Sequence, residues 1–287
     1  VPKVHPESPG IPYPDLAHWS FPRQPSQPLP RYRSDGDVNR HAFNLLMHRL
    51  MRRFGFFHPT RRYALLRVVF GFLRFHFWIW NRATIKYQAP LPDRGIFYCN
   101  HPGSLDPAIF LALLGQPVAC FVGYGNYWFA TTLEYMLGFI NRERGGRDWL
   151  IERMIRTILL KNRYFAIWPE GRPSYNGLIY EPFSSIARVY ATLNAKKDVI
   201  PLIPVMFRGG ECYKYNLKPH TDKISMTVLP SYYLPRDWLK HPDDGGKTPR
   251  EMVEYMMRVL MDAYGQKRAV FNDRIDRRRK KYLGKLS

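Results

Sequence analysis

Apolar residues recur at helical spacing twice near the start of the chain. Between Val38 and Phe54, the residues Phe43, Leu46, Met47 and Leu50 line one side while Arg49, Arg52 and Arg53 fall off it, which predicts an amphipathic helix. The run from Tyr63 to Trp80 is long enough to suggest a membrane span, but Arg67, Arg74 and His76 interrupt it, and this excludes a simple span. Arg67 and Arg74 stand seven apart and therefore share a helical face, which leaves Leu66, Val69, Phe70, Leu73, Phe77 and Trp80 to bury. Such a helix either packs on its own domain or lies in a bilayer interface with its arginines reaching back to water.

From Thr84 onward the pattern changes to short apolar runs alternating with helical stretches. Strands are predicted over 84–88, 96–99, 118–122, 164–168, 199–207 and 223–229, and helices over 107–114, 127–137, 148–161, 183–193 and 249–264. Alternation of this kind defines an α/β domain, a mixed and mostly parallel sheet flanked by helices. The 287 residues suffice for one such domain with appended arms.

Composition adds one anomaly. Lys and Arg number 44 against 23 Asp and Glu, a net charge of +21. The excess is not spread evenly: residues 40–86 contain ten basic and no acidic residues, and residues 266–287 nine basic and two acidic. Four segments follow: a Pro-rich extended arm (1–39), a basic amphipathic helical region (40–83), the α/β domain (84–265) and a basic tail (266–287). The nine prolines of the first 34 residues exclude helix from the arm, and a partner protein is one way of ordering it. Basic flanks fit a phosphate-bearing surface, either an anionic membrane or RNA.

Cys99, Cys120 and Cys212 stand far apart, with no Cys-x-x-Cys pair and no histidine at ligand spacing, so neither a disulfide framework nor a metal site is expected. This usage fits a reducing intracellular compartment, with the membrane periphery or a mitochondrion as the expected location. The sequence opens on Val1 rather than Met, so the N-terminus is expected to have been processed or left out, and a targeting segment would not show.

The strand ending at Cys99 runs into Asn100-His101-Pro102-Gly103-Ser104-Leu105-Asp106-Pro107. A histidine at a strand's carboxyl end, with an aspartate five positions on at a helix start, can bring imidazole and carboxylate together across a tight turn. That pair is a general base with its orienting group. Three further blocks follow in order: Gly138 to Arg142, then Trp168-Pro169-Glu170-Gly171-Arg172-Pro173-Ser174, then the Pro-punctuated strand Val199 to Val205.

Together the four blocks resemble the glycerolipid acyltransferase superfamily, the type that acylates lysophosphatidic acid or glycerol 3-phosphate. Its pattern is Asn-His-x4-Asp, a Gly-x-Ile-x-x-Arg block, Phe-Pro-Glu-Gly-Thr-Arg-Ser and a Pro-rich apolar strand. The resemblance implies a single acyltransferase-type domain that moves a fatty acyl group from a CoA or acyl-carrier-protein thioester to a hydroxyl of a lysophospholipid or glycerol phosphate. No bound cofactor is implied. His101 would be the base and Asp106 its orienter, while Asn100, Ser104, Arg142, Glu170, Gly171 and Arg172 would line the acceptor's site.

The chain departs from the pattern in the third block. Arg172 stands at the family's Thr position and Pro173 at its Arg position, and proline offers phosphate no donor. An arginine one residue earlier on an extended chain points to the other side. The base and its orienter are kept while phosphate recognition is altered, which fits a changed acceptor. It also fits the alternative of a catalytically degenerate fold serving assembly of a ribonucleoprotein such as the mitochondrial ribosome.

Overall fold

The computed structural model describes residues 59–103, 105–115, 118–123, 139–142, 164–171, 173–174, 178–180, 182–195, 200–210 and 223–266. The Pro-rich arm, the helices expected over 38–54, 127–137 and 148–161, and the basic tail beyond residue 266 lie outside the described residues.

The elements in chain order are α1 (Pro59–Asn81), β1 (Thr84–Tyr87), β2 (Gly95–Cys99), α2 (Asp106–Leu114), β3 (Val118–Gly123), β4 (Phe139–Arg142), β5 (Tyr164–Ile167), α3 (Ser185–Ala195), β6 (Leu202–Arg208), β7 (Ser225–Val228) and α4 (Pro249–Tyr264). Seven strands form one sheet in the order β1-β7-β6-β2-β5-β3-β4. Every neighbouring pair is parallel except β6 with β7. The expected mixed, mostly parallel sheet is what forms. β4 is a strand that apolar patterning alone did not mark: it pairs Phe139 to Arg142 with Cys120 to Gly123.

β2 lies at the centre and all five of its residues are buried. Its alternating side chains feed two cores. Ile96 and Tyr98 join Phe165, Ile167, Tyr190 and the Met-rich inner face of α4. Phe97 and Cys99 join Phe110, Phe207, Ile203 and the inner side of α1. The molecule is therefore a helix–sheet–helix sandwich, with α1 and α2 on one face and α3 and α4 on the other.

Helix ends follow local chemistry. α4 begins with a capping box in which Thr248 and Glu251 satisfy each other's backbone, has Pro249 in its first turn, and stops at Gly265 with φ 76°. α2 carries Pro107 next to its first residue and ends at Gly115 with φ 64°.

α1 is 23 residues long, yet among the described residues no helix is long and apolar enough to cross a membrane. Phe70 and Phe77 are buried as expected and Leu73 is partly so. Trp80 is not: half its surface is exposed. At 100° per residue Trp80 lies 60° off the inward line through Phe77, and the chain leaves the helix two residues later at Arg82, whose φ is 47°.

Direction along the sheet decides where chemistry can sit. The carboxyl ends of β2, β5, β6, β3 and β4 share one edge with the amino ends of β1 and β7. Because α1 leads directly into β1, its last turn also stands at that edge. Ile224, which precedes β7, donates its N–H to Asn81 O at 3.1 Å.

Candidate active site

The chain leaves β2 through Asn100, which is almost fully buried. Its amide donates to Phe207 O at 3.0 Å and accepts from Phe207 N–H at 2.6 Å. This two-point clasp ties the exit of β2 to β6, so Asn100 holds the turn rather than facing the acceptor as the resemblance implied. The next residue is His101, whose side chain is 13% exposed.

Pro102 and Gly103 turn the chain so that Asp106, the first residue of α2, faces back on the histidine. His101 Nδ1 and Asp106 Oδ2 are 2.8 Å apart, and the same oxygen accepts the Gly103 N–H at 2.8 Å. The Asp106 side chain is fully buried. An oxygen that already accepts one N–H is the acceptor of the second, which places the ring proton on Nδ1 and leaves Nε2 able to take another. The amino end of α2 favours the carboxylate's negative charge.

Two glycines make this packing possible: Gly103 of the first block and Gly210, which sequence reasoning passed over. A side-chain carbon on Gly103 would fall 1.9 Å from Gly210 O, and one on Gly210 would fall 2.5 Å from Asp106 Oδ1. The loop after β6 is thus pressed against the carboxylate. The signal available in the sequence was the pair Gly209-Gly210 directly following a strand, with Gly209 at φ 81°.

The third block lies beside the first because β5 pairs with β2. The Trp168 ring sits 5.9 Å from the imidazole, in the family's Phe position, and contacts Phe110 edge-on at 5.8 Å. Glu170 is buried, and its two oxygens accept the backbone N–H groups of His101 at 2.8 Å and Tyr180 at 2.9 Å. Ser174 N–H donates to His101 O at 2.7 Å, so the histidine's main chain is held on both sides by this block. Burial pushes the Glu170 carboxyl up to about 8, against the two backbone donors that favour its charge; Asp106 adds to the rise. Gly171 has φ 62°, and a side chain there would meet the Phe183 ring at 2.8 Å.

The structure thus brings His101, Asp106, Glu170 and Gly171 together. Arg142 ends β4 at the same edge of the sheet, three strand positions from β2, roughly 14 Å at the usual strand spacing. Ser104 and Arg172 lie outside the described residues. Among the described residues no group of three or more His, Cys, Asp or Glu side chains is placed to hold a metal ion.

A histidine oriented by a buried carboxylate, at the carboxyl edge of an α/β sheet, has the geometry that general-base chemistry requires. Comparison with known proteins adds a family-model match. Residues 82–208, which hold all four blocks, match the family model described as Acyltransferase. Among solved structures, the fold is similar to that of the 1-acyl-sn-glycerophosphate (LPA) acyltransferase PlsC from Thermotoga maritima. That match has 14% identity and a TM-score of 0.51, and it covers 82% of this chain and 98% of the other. No curated protein matches the sequence.

Proposed function

We propose that the protein transfers a fatty acyl group from a CoA or acyl-carrier-protein thioester to a hydroxyl of a lysophospholipid or glycerol phosphate. The observation that carries this reading is the His101–Asp106 pair, 2.8 Å apart, with Nε2 left to act. In the step, Nε2 takes the hydroxyl proton as the oxygen attacks the thioester carbonyl. The C–S bond breaks, and the departing thiolate takes that proton from the imidazolium, giving ester and free thiol. No covalent enzyme intermediate is needed, because the thioester is already activated and an oriented base with a positioned acceptor suffices.

The acceptor is met at an anionic membrane surface. Support comes from the outer side of α1, where Val68, Phe72, Phe75 and Ile79 form a stripe at spacings of four, three and four residues, flanked by exposed Trp78 and Trp80. Arg74 and Arg82 are exposed, and no acidic residue occurs between 40 and 86. An apolar stripe with basic neighbours fits a bilayer interface, and its last turn stands at the edge that carries His101.

The test offers long-chain acyl-CoA or acyl-carrier-protein thioester with lysophosphatidic acid or glycerol 3-phosphate in anionic vesicles, reading the acylated product by mass spectrometry. Product that requires the full chain is the expected result. Absence of product with both acceptors and both thioesters, together with RNA rather than lipid copurifying with the native protein, would put the degenerate assembly factor in its place.

A further inference from the structure

The main chain of His101 is held by a hydrogen-bonded path that begins at the end of α4, 165 residues further along the chain. Gln266 follows the last turn of α4 and is anchored there by its N–H to Met261 O at 2.9 Å. Its buried side chain meets one peptide from both directions: Oε1 accepts Ile179 N–H at 2.9 Å and Nε2 donates to Ile179 O at 3.1 Å. The next N–H, that of Tyr180, goes to Glu170 Oε2, and Glu170 Oε1 accepts from His101 N–H.

The chemistry of each step selects the residue type. Segment 178–180 belongs to no strand, so its buried backbone groups need side-chain partners. A primary amide both donates to and accepts from a single residue's backbone through two adjacent atoms, and glutamine has the reach. Glu170 then needs two acceptor oxygens to join Tyr180 to His101. The path passes from α4 through segment 178–180 and the third block to the turn that carries the base.

We infer that Gln266 is a positioning residue for His101, acting through Ile179, Tyr180 and Glu170. This rests on the reading of His101 as the base, and it extends that site to the end of α4. It also moves the boundary of the α/β domain, expected at 265, past Gln266, so that the basic tail starts directly beyond a residue coupled to the site.

The experiment is amide hydrogen exchange on the full chain, followed by NMR, in the wild type, Gln266→Met, Gln266→Glu and Glu170→Ala. Gln266→Met keeps length and removes both hydrogen bonds; it should speed exchange at Ile179, Tyr180 and His101 by roughly tenfold, about the loss of one hydrogen bond. The core amides of Phe97 and Tyr98 should not change. Gln266→Glu, when ionised, retains only an acceptor and should fall between, which keeps the test open if Gln266→Met does not fold. In the transfer assay the Met variant should lower kcat about tenfold and leave the thioester KM unchanged, while Glu170→Ala combined with it should add little further. Faster exchange at Ile179 with His101 unchanged would overturn the inference. A wild type without transfer would defeat the proposed reaction instead, and the exchange data would still decide the coupling.

Discussion

The turn from Asn100 to Asp106 and the outer face of α1 stand at the same edge of the sheet, yet they are built on opposite rules. In the turn, Asn100 is clasped to Phe207, Asp106 is held by His101 and Gly103, and the His101 backbone is fixed by Glu170 and Ser174. Glycines remove the side chains that would prise these contacts apart. On α1, by contrast, Phe72 is 70% exposed while Phe77, on the inward side, is 1% exposed. Locked polar groups suit proton transfer, where an ångström of misplacement is costly. An exposed aromatic stripe suits a fluid, non-directional partner.

The comparison breaks most sharply at the carboxylate. Asp106→Asn should lower acyl transfer by about 10²- to 10⁴-fold, because the amide supports the wrong ring tautomer; steady-state kinetics on the purified variant checks it. Gly210→Ala comes next. Its added carbon would meet Asp106 Oδ1 at 2.5 Å, so transfer should fall roughly 10²-fold while circular dichroism reports an intact fold. On the other region, Phe75→Asp should weaken binding to anionic vesicles at least tenfold, since an embedded Phe is worth about 1.5–3 kcal/mol. It should leave transfer to a short-chain soluble acceptor unchanged and stability within about 0.5 kcal/mol.

A separate test of the locked turn is the pH dependence of stability. The folded state keeps a proton on Glu170 up to about 8, against an ordinary value of 4.5, so the unfolded chain binds fewer protons between those values. The stabilisation from the neutral form is fully present below pH 4.5 and is lost as pH rises through 8. Urea unfolding from pH 5 to 9 should show that fall, and Glu170→Gln should flatten it.

Much of the site was legible because it is local. An apolar strand, a His-Pro-Gly turn and an Asp-Pro helix start lie within 13 residues, from Gly95 to Pro107, and local chemistry dictates each. What the sequence could not display are contacts between distant segments. Gly210 and Gln266 matter only because β6 runs beside β2 and because α4 ends over segment 178–180. Short β4 becomes a strand through its pairing with β3 rather than through four residues of pattern. Trp80 fitted the helical period of the buried face, but period says nothing of where the supporting surface stops.

The most direct test of general-base acyl transfer compares the full chain with His101→Ala on anionic vesicles carrying lysophosphatidic acid and long-chain acyl-CoA, with ester product and vesicle binding measured on the same samples. Base catalysis by His101 predicts that the variant binds vesicles like the wild type and forms product about 10²- to 10⁴-fold more slowly. Equal product from both proteins would contradict it.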